Sequence, residues 1–395
     1  QPLPISHFSA QLAGDSVILN WRSVTDTLES TAFPNAYVVY TRVDDGGFDN
    51  GVLVHETTCK LPVVADKLYS YKVVAVNDGG ASFPSEILSV CKNSRATHTV
   101  LVVNGFDRIS APEGFSSGDF AGFPDWLDAG VPYVRNISYV GAQHEFSRLE
   151  PWRDDDAPGW GASNSDYETE IIAGNTFDYP FVHGKSLVKA GYSFVSSSNE
   201  AVEDRCINLA DYKAVDFILG KQKQSFLGTN RTTADFKTFT PSMQKALTDY
   251  CLQGGALVVS GAYVGTDLWK SSSVSDADKR FAESILNYTW RTDRAAQKGN
   301  VSAVYAPNSS FTGKFEFCTA LNSVQYHVES PDGIEPANKN AFTIMRYGQN
   351  NISAAVAHKG TYRTLVFGFP FESLTSDAMR DDLMRQIMRF LIDEP

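Results

Sequence analysis

The chain has 395 residues, and its 34 Lys and Arg against 46 Asp and Glu give a formal charge of −12. This length predicts about two domains, while a content of 43% hydrophobic and 12% aromatic residues excludes an extended disordered chain. The acidic balance argues against nucleic acids as partners, because binding them requires clustered cations. An apolar run of about 18 residues is absent from the sequence, which argues against membrane insertion.

The first residues and the cysteines say little about chemistry. Residues 1–4 have neither the basic start nor the apolar run of a signal peptide, so we interpret them as a linker trimmed from a longer chain.

The five cysteines are scattered, without a CxxC pair or the spacing of a zinc site. We expect most of them to be buried thiols, with a Cys59–Cys91 disulfide as the alternative.

Residues 1–94 show short alternating apolar runs between turn signals. Predicted strands cover 17–21, 37–40, 52–54 and 69–76. Strands at this spacing are typical of a β-sandwich. Trp21 in an early strand, followed by the motif Tyr-x-Tyr-x-Val-x-Ala-x-Asn at 69–77 and by Gly80, resembles a fibronectin type III domain. The resemblance implies that the Tyr69 hydroxyl bonds to nearby backbone and that the segment is a spacer or a packing module.

From residue 97 to 395 the pattern changes to continuous apolar runs, which suit strands buried on both faces of a parallel sheet. These runs lie at 99–105, 192–195, 214–220, 256–261 and 364–369. A helix is predicted from Pro241 to Gln253, capped by Thr240, and a last helix with an apolar stripe is capped by Ser376. The alternation of strands and helices predicts a flavodoxin-like α/β domain.

Two segments interrupt this alternation. The first, at about 105–191, is an insertion rich in Asp, Gly, Phe and Trp, which we expect above the carboxyl ends of the strands. Its tryptophans, Trp152 and Trp160 among them, either form a private core or present a surface on which sugar rings stack. The second segment, at about 300–360, predicts additional strands at 301–305, 341–347 and 352–357.

Three predicted features follow one another directly: a helix end at Gly254 and Gly255, a buried strand, and the turn 261–265. This order resembles the nucleophile elbow of class I glutamine amidotransferase-like domains, in which a cysteine occupies a strained turn between glycines. Tyr263 stands at the cysteine position, and Phe369 stands where the family's catalytic His is expected, with Glu372 close by. The resemblance therefore implies the fold without the family's chemistry, since a phenol without an adjacent imidazole is not an amide-cleaving nucleophile.

Several short segments resemble a narrower group across the whole chain. They lie at 44–51, 175–180, 183–184, 196–200 and 216–222. Similar segments occur in large secreted or surface proteins of Bacteroidetes that are labelled xanthan lyase, many of which carry an N-acetylmuramoyl-L-alanine amidase domain. The resemblance implies a location outside the cell or on its surface. It also implies partners among polysaccharides, peptidoglycan and the other domains of a longer parent chain.

We expect a pocket at the carboxyl ends of the parallel strands, where such sheets bind ligands. The predicted binding residues are Asn104, Asp107, Ser197, Gly220, Lys221, Ser260, Gly261, Trp152 and Trp160, and the catalytic candidates are Tyr263 and Glu372. The leading hypothesis is a non-catalytic region that binds cell-wall or other glycans through a degenerate site. The alternative is a polysaccharide lyase or hydrolase with Tyr263 as base and Arg108, Arg135 or Lys221 neutralising a uronate. A third hypothesis is a structural spacer without a pocket.

Metal and cofactor sites are not predicted. His183 with Glu168 and Glu170 would make a metal-binding set, but we interpret His183 as a residue at a helix start beside Gly184. The acidic run 154–156 lacks the spacing of a calcium loop. Neither a dinucleotide fingerprint nor a Walker A motif occurs, so no cofactor is expected.

Overall fold

The computed structural model describes residues 2–25, 29–82, 84–106, 115–117, 120–122, 178–227, 233–271, 273–306, 309–320, 325–326 and 328–392. Several residues singled out from the sequence lie outside this part of the chain: Asp107, Arg108, Arg135, Trp152, Trp160, Glu168, Glu170 and the acidic run 154–156.

The described chain is predominantly β-sheet. Its strands are β1 (Ser6–Ala13), β2 (Ser16–Arg22), β3 (Ala36–Val43), β4 (Val52–Val54), β5 (Thr58–Pro62), β6 (Leu68–Asn77), β7 (Gly80–Ala81), β8 (Leu88–Cys91), β9 (Thr99–Asn104), β10 (Phe115–Ser117), β11 (Phe120–Gly122), β12 (Ser193–Ser198), β13 (Ala214–Gly220), β14 (Ser225–Leu227), β15 (Thr233–Asp235), β16 (Ala256–Gly261), β17 (Tyr288–Thr292), β18 (Asn300–Ala303), β19 (Lys314–Glu316), β20 (Gly333–Pro336), β21 (Ala341–Tyr347), β22 (Ser353–Lys359) and β23 (Arg363–Phe367). Its α-helices are α1 (Tyr179–Lys189), α2 (Asn199–Glu203), α3 (Pro241–Leu252), α4 (Thr266–Trp269), α5 (Asp276–Phe281) and α6 (Asp377–Leu391).

The first eight strands form a sandwich of two antiparallel sheets. One sheet has the order β1–β2–β5, and the other has β4–β3–β6–β8, with β7 beside β6. Apolar residues at alternate positions of β2 face inward, and Trp21 packs edge-on against Tyr37 with ring centroids 5.4 Å apart. The Tyr69 hydroxyl accepts a hydrogen bond of 3.1 Å from the Val64 N–H, as the sequence resemblance implied.

The remaining core is a large mixed sheet. Five strands run parallel in the order β12–β9–β13–β16–β23, and the sheet continues with antiparallel β22, β21, β18 and β19. Helices α1 and α6 pack together on one face, where Leu187 and Leu383 share a cluster with Val102. Helix α3 covers the other face through Met243 and Leu247. The parallel strands and the strands predicted at 300–360 are therefore present.

Among the described residues, strand pairing links both sheets of the sandwich and the mixed sheet into one hydrogen-bonded network of 17 strands. The outer edge of β12 pairs antiparallel with β1 and with the end of β8. An ion pair of 2.6 Å between Arg42 and Asp178, which are 13% and 19% exposed, joins β3 to the start of α1. An exposed edge strand is prone to unwanted pairing, and the sandwich covers the edge strand β12. These contacts cross the domain boundary that the sequence predicts at residues 94–97.

Local signals at the helix ends are confirmed. Thr240 accepts a hydrogen bond of 3.1 Å from the Met243 N–H at the start of α3, and Ser376 accepts one of 3.3 Å from the Met379 N–H at the start of α6. Helix α3 ends one residue before the predicted Gln253. Among the described helices, none is long and apolar enough to cross a membrane.

The five cysteines are free thiols, and Cys206 is the exposed one. The alternative of a Cys59–Cys91 disulfide is wrong, because Cys59 in β5 and Cys91 in β8 are both free thiols. Burial of the other four thiols agrees with the prediction, and it raises the pKa of Cys251 to about 12.

Candidate binding site at the carboxyl ends of the parallel strands

Three predicted site residues lie at the ends of neighbouring strands. Asn104 at the end of β9 is in register with Ile218 of β13, and Ile218 is in register with Ser260 of β16. In a parallel sheet, residues in register point to the same face, which here is the face covered by α1 and α6. Ser197 lies in β12 beside Val103, with its hydroxyl donating to the backbone carbonyl of Ser198 at 3.0 Å.

Two polar atoms at this level have no hydrogen-bond partner. The side chains of Asn104 and Ser260 are 0% exposed, and both Oδ1 of Asn104 and Oγ of Ser260 are unsatisfied. The amide group of Asn104 donates to Oε2 of Glu86 at 2.5 Å. Buried polar atoms are nearly always hydrogen-bonded, so these two atoms are exceptions among the described side chains.

Gly220 shapes the end of β13. Its φ is +48°, and a Cβ atom built there would lie 2.0 Å from the ring of Phe106. The carbonyl of Gly220 accepts the Ala262 N–H at 2.8 Å, which ties the end of β13 to the turn after β16. Both the left-handed backbone and the ring contact therefore require glycine at this predicted site position.

Tyr263 and Lys221 meet through a carboxylate that sequence analysis missed. The Lys221 ammonium donates to Oε2 of Glu329 at 2.7 Å, and the Tyr263 hydroxyl donates to Oε1 of the same carboxylate at 3.1 Å. Lys221 and Tyr263 are 1% and 2% exposed. The Lys223 ammonium lies 5.2 Å from the centre of the Tyr263 ring. Tyr263 thus belongs to a buried polar cluster of Lys221, Tyr263 and Glu329, which we call the tyrosine cluster.

The turn after Tyr263 is held by Asp332. Its carboxylate accepts hydrogen bonds from the N–H groups of Gly265 and Thr266 at 2.6 and 2.7 Å, and from the Thr266 hydroxyl at 2.5 Å. Burial raises the pKa of Asp332 to about 7, against the effect of these donors. Tyr263 is not among the described non-glycine residues with positive φ, so its backbone differs from the strained elbow of the amidotransferase-like family.

Glu372 lies in a second buried cluster. Its Oε1 accepts the Tyr326 hydroxyl at 2.6 Å, and its Oε2 lies 3.2 Å from Nε2 of His183. The Nδ1 atom of His183 is 2.7 Å from Oδ2 of Asp216. All four side chains are at most 4% exposed. We call Asp216, His183, Glu372 and Tyr326 the histidine cluster.

The two carboxylates of the histidine cluster favour the protonated form of His183. Burial opposes protonation of His183, but Asp216 and Glu372 favour it more strongly and raise its pKa to about 9. A protonated ring donates from both nitrogens, one to each carboxylate. His183 is the fifth residue of α1, which begins at Tyr179, so its sequence interpretation as a helix-start residue is correct only approximately.

One feature of the sequence indicates that a buried polar cluster forms around Asp216. Asp216 is the one charged residue in the otherwise apolar run 214–220. A carboxylate in a strand buried on both faces requires a partner, although the run itself does not say which one. Glu329 offered no comparable signal, because it lies 66 residues from Tyr263 in a segment without regular structure.

Phe369, which the sequence resemblance places at a histidine position, is surrounded by aromatic rings. Its side chain is 0% exposed, stacks on Phe317 with ring centroids 5.1 Å apart, and meets Phe367 edge-on at 5.6 Å. This position therefore offers no proton acceptor to Tyr263. Within the described residues, groups of three His, Cys, Asp or Glu side chains arranged to hold a metal ion are absent.

No model of a known protein family matches the chain, and no curated protein matches it either. Among solved structures, the kinase region of twitchin from C. elegans is 21% identical over 24% of this chain and 17% of that chain, with a TM-score of 0.21. A fibronectin type III domain from a human protein is 20% identical over 23% of this chain and 73% of that chain, with a TM-score of 0.20. A structure titled FN3tt mut is 16% identical over 23% of this chain and 97% of that chain, with a TM-score of 0.20. Fibronectin type III domains are named in these titles, and the likeness extends to no more than about a quarter of the chain.

Proposed function

We propose that this chain is a non-catalytic accessory region of a secreted or cell-surface protein that contacts cell-wall or other polysaccharides. The observation that carries the proposal is the state of Tyr263. Its hydroxyl donates to Glu329, whose charge is balanced by Lys221, and the tyrosine cluster is almost completely buried. A phenol that donates to a carboxylate keeps its proton, so it is poorly placed to remove one from a substrate.

Strand order supports a degenerate site on a flavodoxin-like, amidotransferase-like domain. Numbered along the chain, the five parallel strands have the order 2-1-3-4-5, which is that of flavodoxin-like sheets. The ligand position of such sheets is the carboxyl edge. In the resemblance to the amidotransferase-like family, Tyr263 and Phe369 stand in place of the nucleophile and the base, which favours binding over catalysis at this edge.

The unsatisfied atoms of Asn104 and Ser260 supply the polar contacts of such a binding site. An amide oxygen accepts a hydrogen bond from a sugar hydroxyl, and a serine hydroxyl both donates and accepts. We therefore expect these two side chains to orient a saccharide at the carboxyl edge.

Retention on polysaccharides tests the proposal. We expect the purified chain to co-sediment with insoluble peptidoglycan or with an immobilised acidic polysaccharide, without releasing unsaturated uronates or reducing ends. Ser260→Ala removes an unsatisfied hydroxyl, so it should weaken retention without lowering the free energy of unfolding. Retention by none of the polymers would leave the spacer hypothesis.

The alternative function is a polysaccharide lyase or hydrolase, and the tyrosine cluster is the observation that favours it. Three ionisable side chains lie within hydrogen-bond reach, as acid–base catalysis requires. Product formation that is lost in Tyr263→Phe and kept in Tyr305→Phe, a change at an exposed tyrosine, would establish this alternative and overturn the non-catalytic proposal.

A further inference from the structure

A polar cavity lies at the opposite edge of the parallel sheet, where the strands begin. Its volume is about 680 Å³. On the side of the sandwich it is lined by Gln11 of β1, and on the side of the parallel sheet by Thr99, Lys213 and Gly255, at the starts of β9, β13 and β16. A smaller cavity of about 390 Å³ shares Thr97, His98 and Lys213 with it. Small-molecule sites typically measure about 300–1,000 Å³ and favour domain junctions, so the larger cavity has the size and position of a ligand site.

Gln11 lines this cavity, and its side chain carries an unsatisfied hydrogen-bond donor. The Tyr212 hydroxyl donates to Oε1 of Gln11, which fixes the orientation of the carboxamide. The Nε2 atom of Gln11 is buried and has no hydrogen-bond partner. An orphaned buried donor carries a free-energy cost that an acceptor on a ligand removes. A ligand oxygen that enters the cavity and reaches Nε2 would satisfy this donor.

The other walls indicate which chemistry fits. Thr97 and Thr99 carry hydroxyls, Tyr212 presents a partly buried ring, and Lys213 and Asp211 bring one charge of each sign. Hydroxyls, an amide, an aromatic ring and mixed charge suit a ligand with many hydroxyl groups and an apolar ring face. A phosphate ligand is disfavoured, because Gly254 and Gly255 follow the end of α3 and do not begin a helix.

We infer that this junction cavity is a second saccharide site, in which the Gln11 amide donates to a sugar oxygen and Tyr212 packs against a sugar ring. The position of the site follows from the cavity and its unsatisfied donor. Its ligand class rests on the proposed polysaccharide contact. The site is distinct from the carboxyl edge, since Thr99 and Asn104 lie at opposite ends of β9.

The test is titration calorimetry of the intact chain with cellotriose and with trigalacturonic acid, a neutral and an acidic probe. Binding of either probe is expected, with a dissociation constant about 3- to 10-fold higher in Gln11→Leu because one hydrogen bond is lost. Tyr305→Ala removes a 90% exposed ring that is not part of the cavity wall, so it should leave the affinity unchanged. Absence of heat with both probes, or equal affinities in the parent and Gln11→Leu, would overturn the inference.

A second measurement keeps the inference testable if Gln11→Leu is unstable. In the isotopically labelled parent protein, the side-chain amide resonance of Gln11 should shift on addition of the bound probe, and a resonance that stays in place contradicts the inference. The two sites are also separable. Polymer retention that depends on Ser260 but not on Gln11 would keep the proposed function and reject the junction site. Trisaccharide binding that depends on Gln11, without any polymer retention, would keep the junction site and reject the carboxyl-edge proposal.

Discussion

At the scale of single residues, Gly220 gives the sharpest prediction for the end of β13. We expect Gly220→Ala to lower the free energy of unfolding by roughly 2–4 kcal/mol, because the new methyl group meets the Phe106 ring in a left-handed backbone. Gly14→Ala is the matched control, since Gly14 also has positive φ, at +65°, but has open space around the position of a Cβ. We expect that control to lose only about 1 kcal/mol in urea unfolding. Equal losses would mean that Phe106 moves aside.

The histidine cluster predicts a dependence of stability on pH. The folded pKa of His183, about 9, lies above its ordinary value of 6.5. Protonation therefore stabilises the fold fully below about pH 6.5, and this contribution is lost as the pH rises through 9. The difference in pKa corresponds to roughly 3 kcal/mol. We expect the free energy of unfolding to fall by about that amount over this pH window.

Substitution of His183 isolates this effect. His183→Gln leaves Asp216 and Glu372 buried without a cation, so we expect it to lose about 3–5 kcal/mol at pH 6.5 and to flatten the fall toward pH 9. Lys245→Gln is the control, because its pair with Asp249 is exposed and contributes about 0–1 kcal/mol. A parent and a His183→Gln variant with the same pH profile would show that His183 is neutral in the fold.

The sequence pattern predicts side chains of the two buried clusters but not the hydrogen-bond partners of those side chains. Lys221 and Tyr263 were both predicted: Lys221 directly follows a buried strand, and Tyr263 occupies the cysteine position of the turn that resembles the amidotransferase-like elbow. Glu329, which joins them, and Glu372, which joins His183 instead of Tyr263, are placed by the tertiary fold. Hydrogen bonds between residues so distant in the chain leave no spacing for a sequence pattern to reveal.

At the scale of elements, periodicity predicted the strands whose apolar residues are continuous or strictly alternating. The bounds of β4, β13 and β16 agree with the predicted runs. Strand β1, with the sequence SHFSAQLA, was not predicted, and it contains no β-branched residue. Its strand conformation is stabilised by pairing with β2 on one side and with β12 on the other. The pairing with β12 is a tertiary contact that the local sequence pattern does not reveal.

The tyrosine corner of β6 is an element-level contact with a measurable contribution. Tyr69→Phe removes the hydroxyl that accepts the Val64 N–H, so we expect the free energy of unfolding to fall by about 1 kcal/mol. Tyr40→Phe, on the neighbouring strand β3, changes a hydroxyl outside this contact and should be close to neutral. Thermal unfolding of both variants distinguishes them, and a neutral Tyr69→Phe would mean that water replaces the hydroxyl without loss.

At the scale of the whole molecule, the contacts between the sandwich and the parallel sheet connect their stabilities. Three contacts cross the predicted boundary between the two regions. They are the backbone pairing of β1 with β12, the hydrogen bond from Asn104 to Glu86 and the ion pair of Arg42 with Asp178. Two regions that share a sheet and its edge lose these contacts together. The division into 1–94 and 97–395 remains a prediction about folding units, and unfolding experiments decide it.

Arg42 tests the cooperativity of the two regions. Arg42→Met keeps much of the aliphatic stem but leaves Asp178 without its cation, so we expect a loss of about 3 kcal/mol or somewhat less, because the pair is not completely buried. If the regions unfold as one unit, calorimetry of the parent should give a single transition with equal calorimetric and van't Hoff enthalpies. Hydrogen exchange in Arg42→Met should then accelerate equally in the most protected amides of β3 and β13. Two transitions, with faster exchange confined to β3, would instead make the sandwich an independent domain that merely rests on the edge of the parallel sheet.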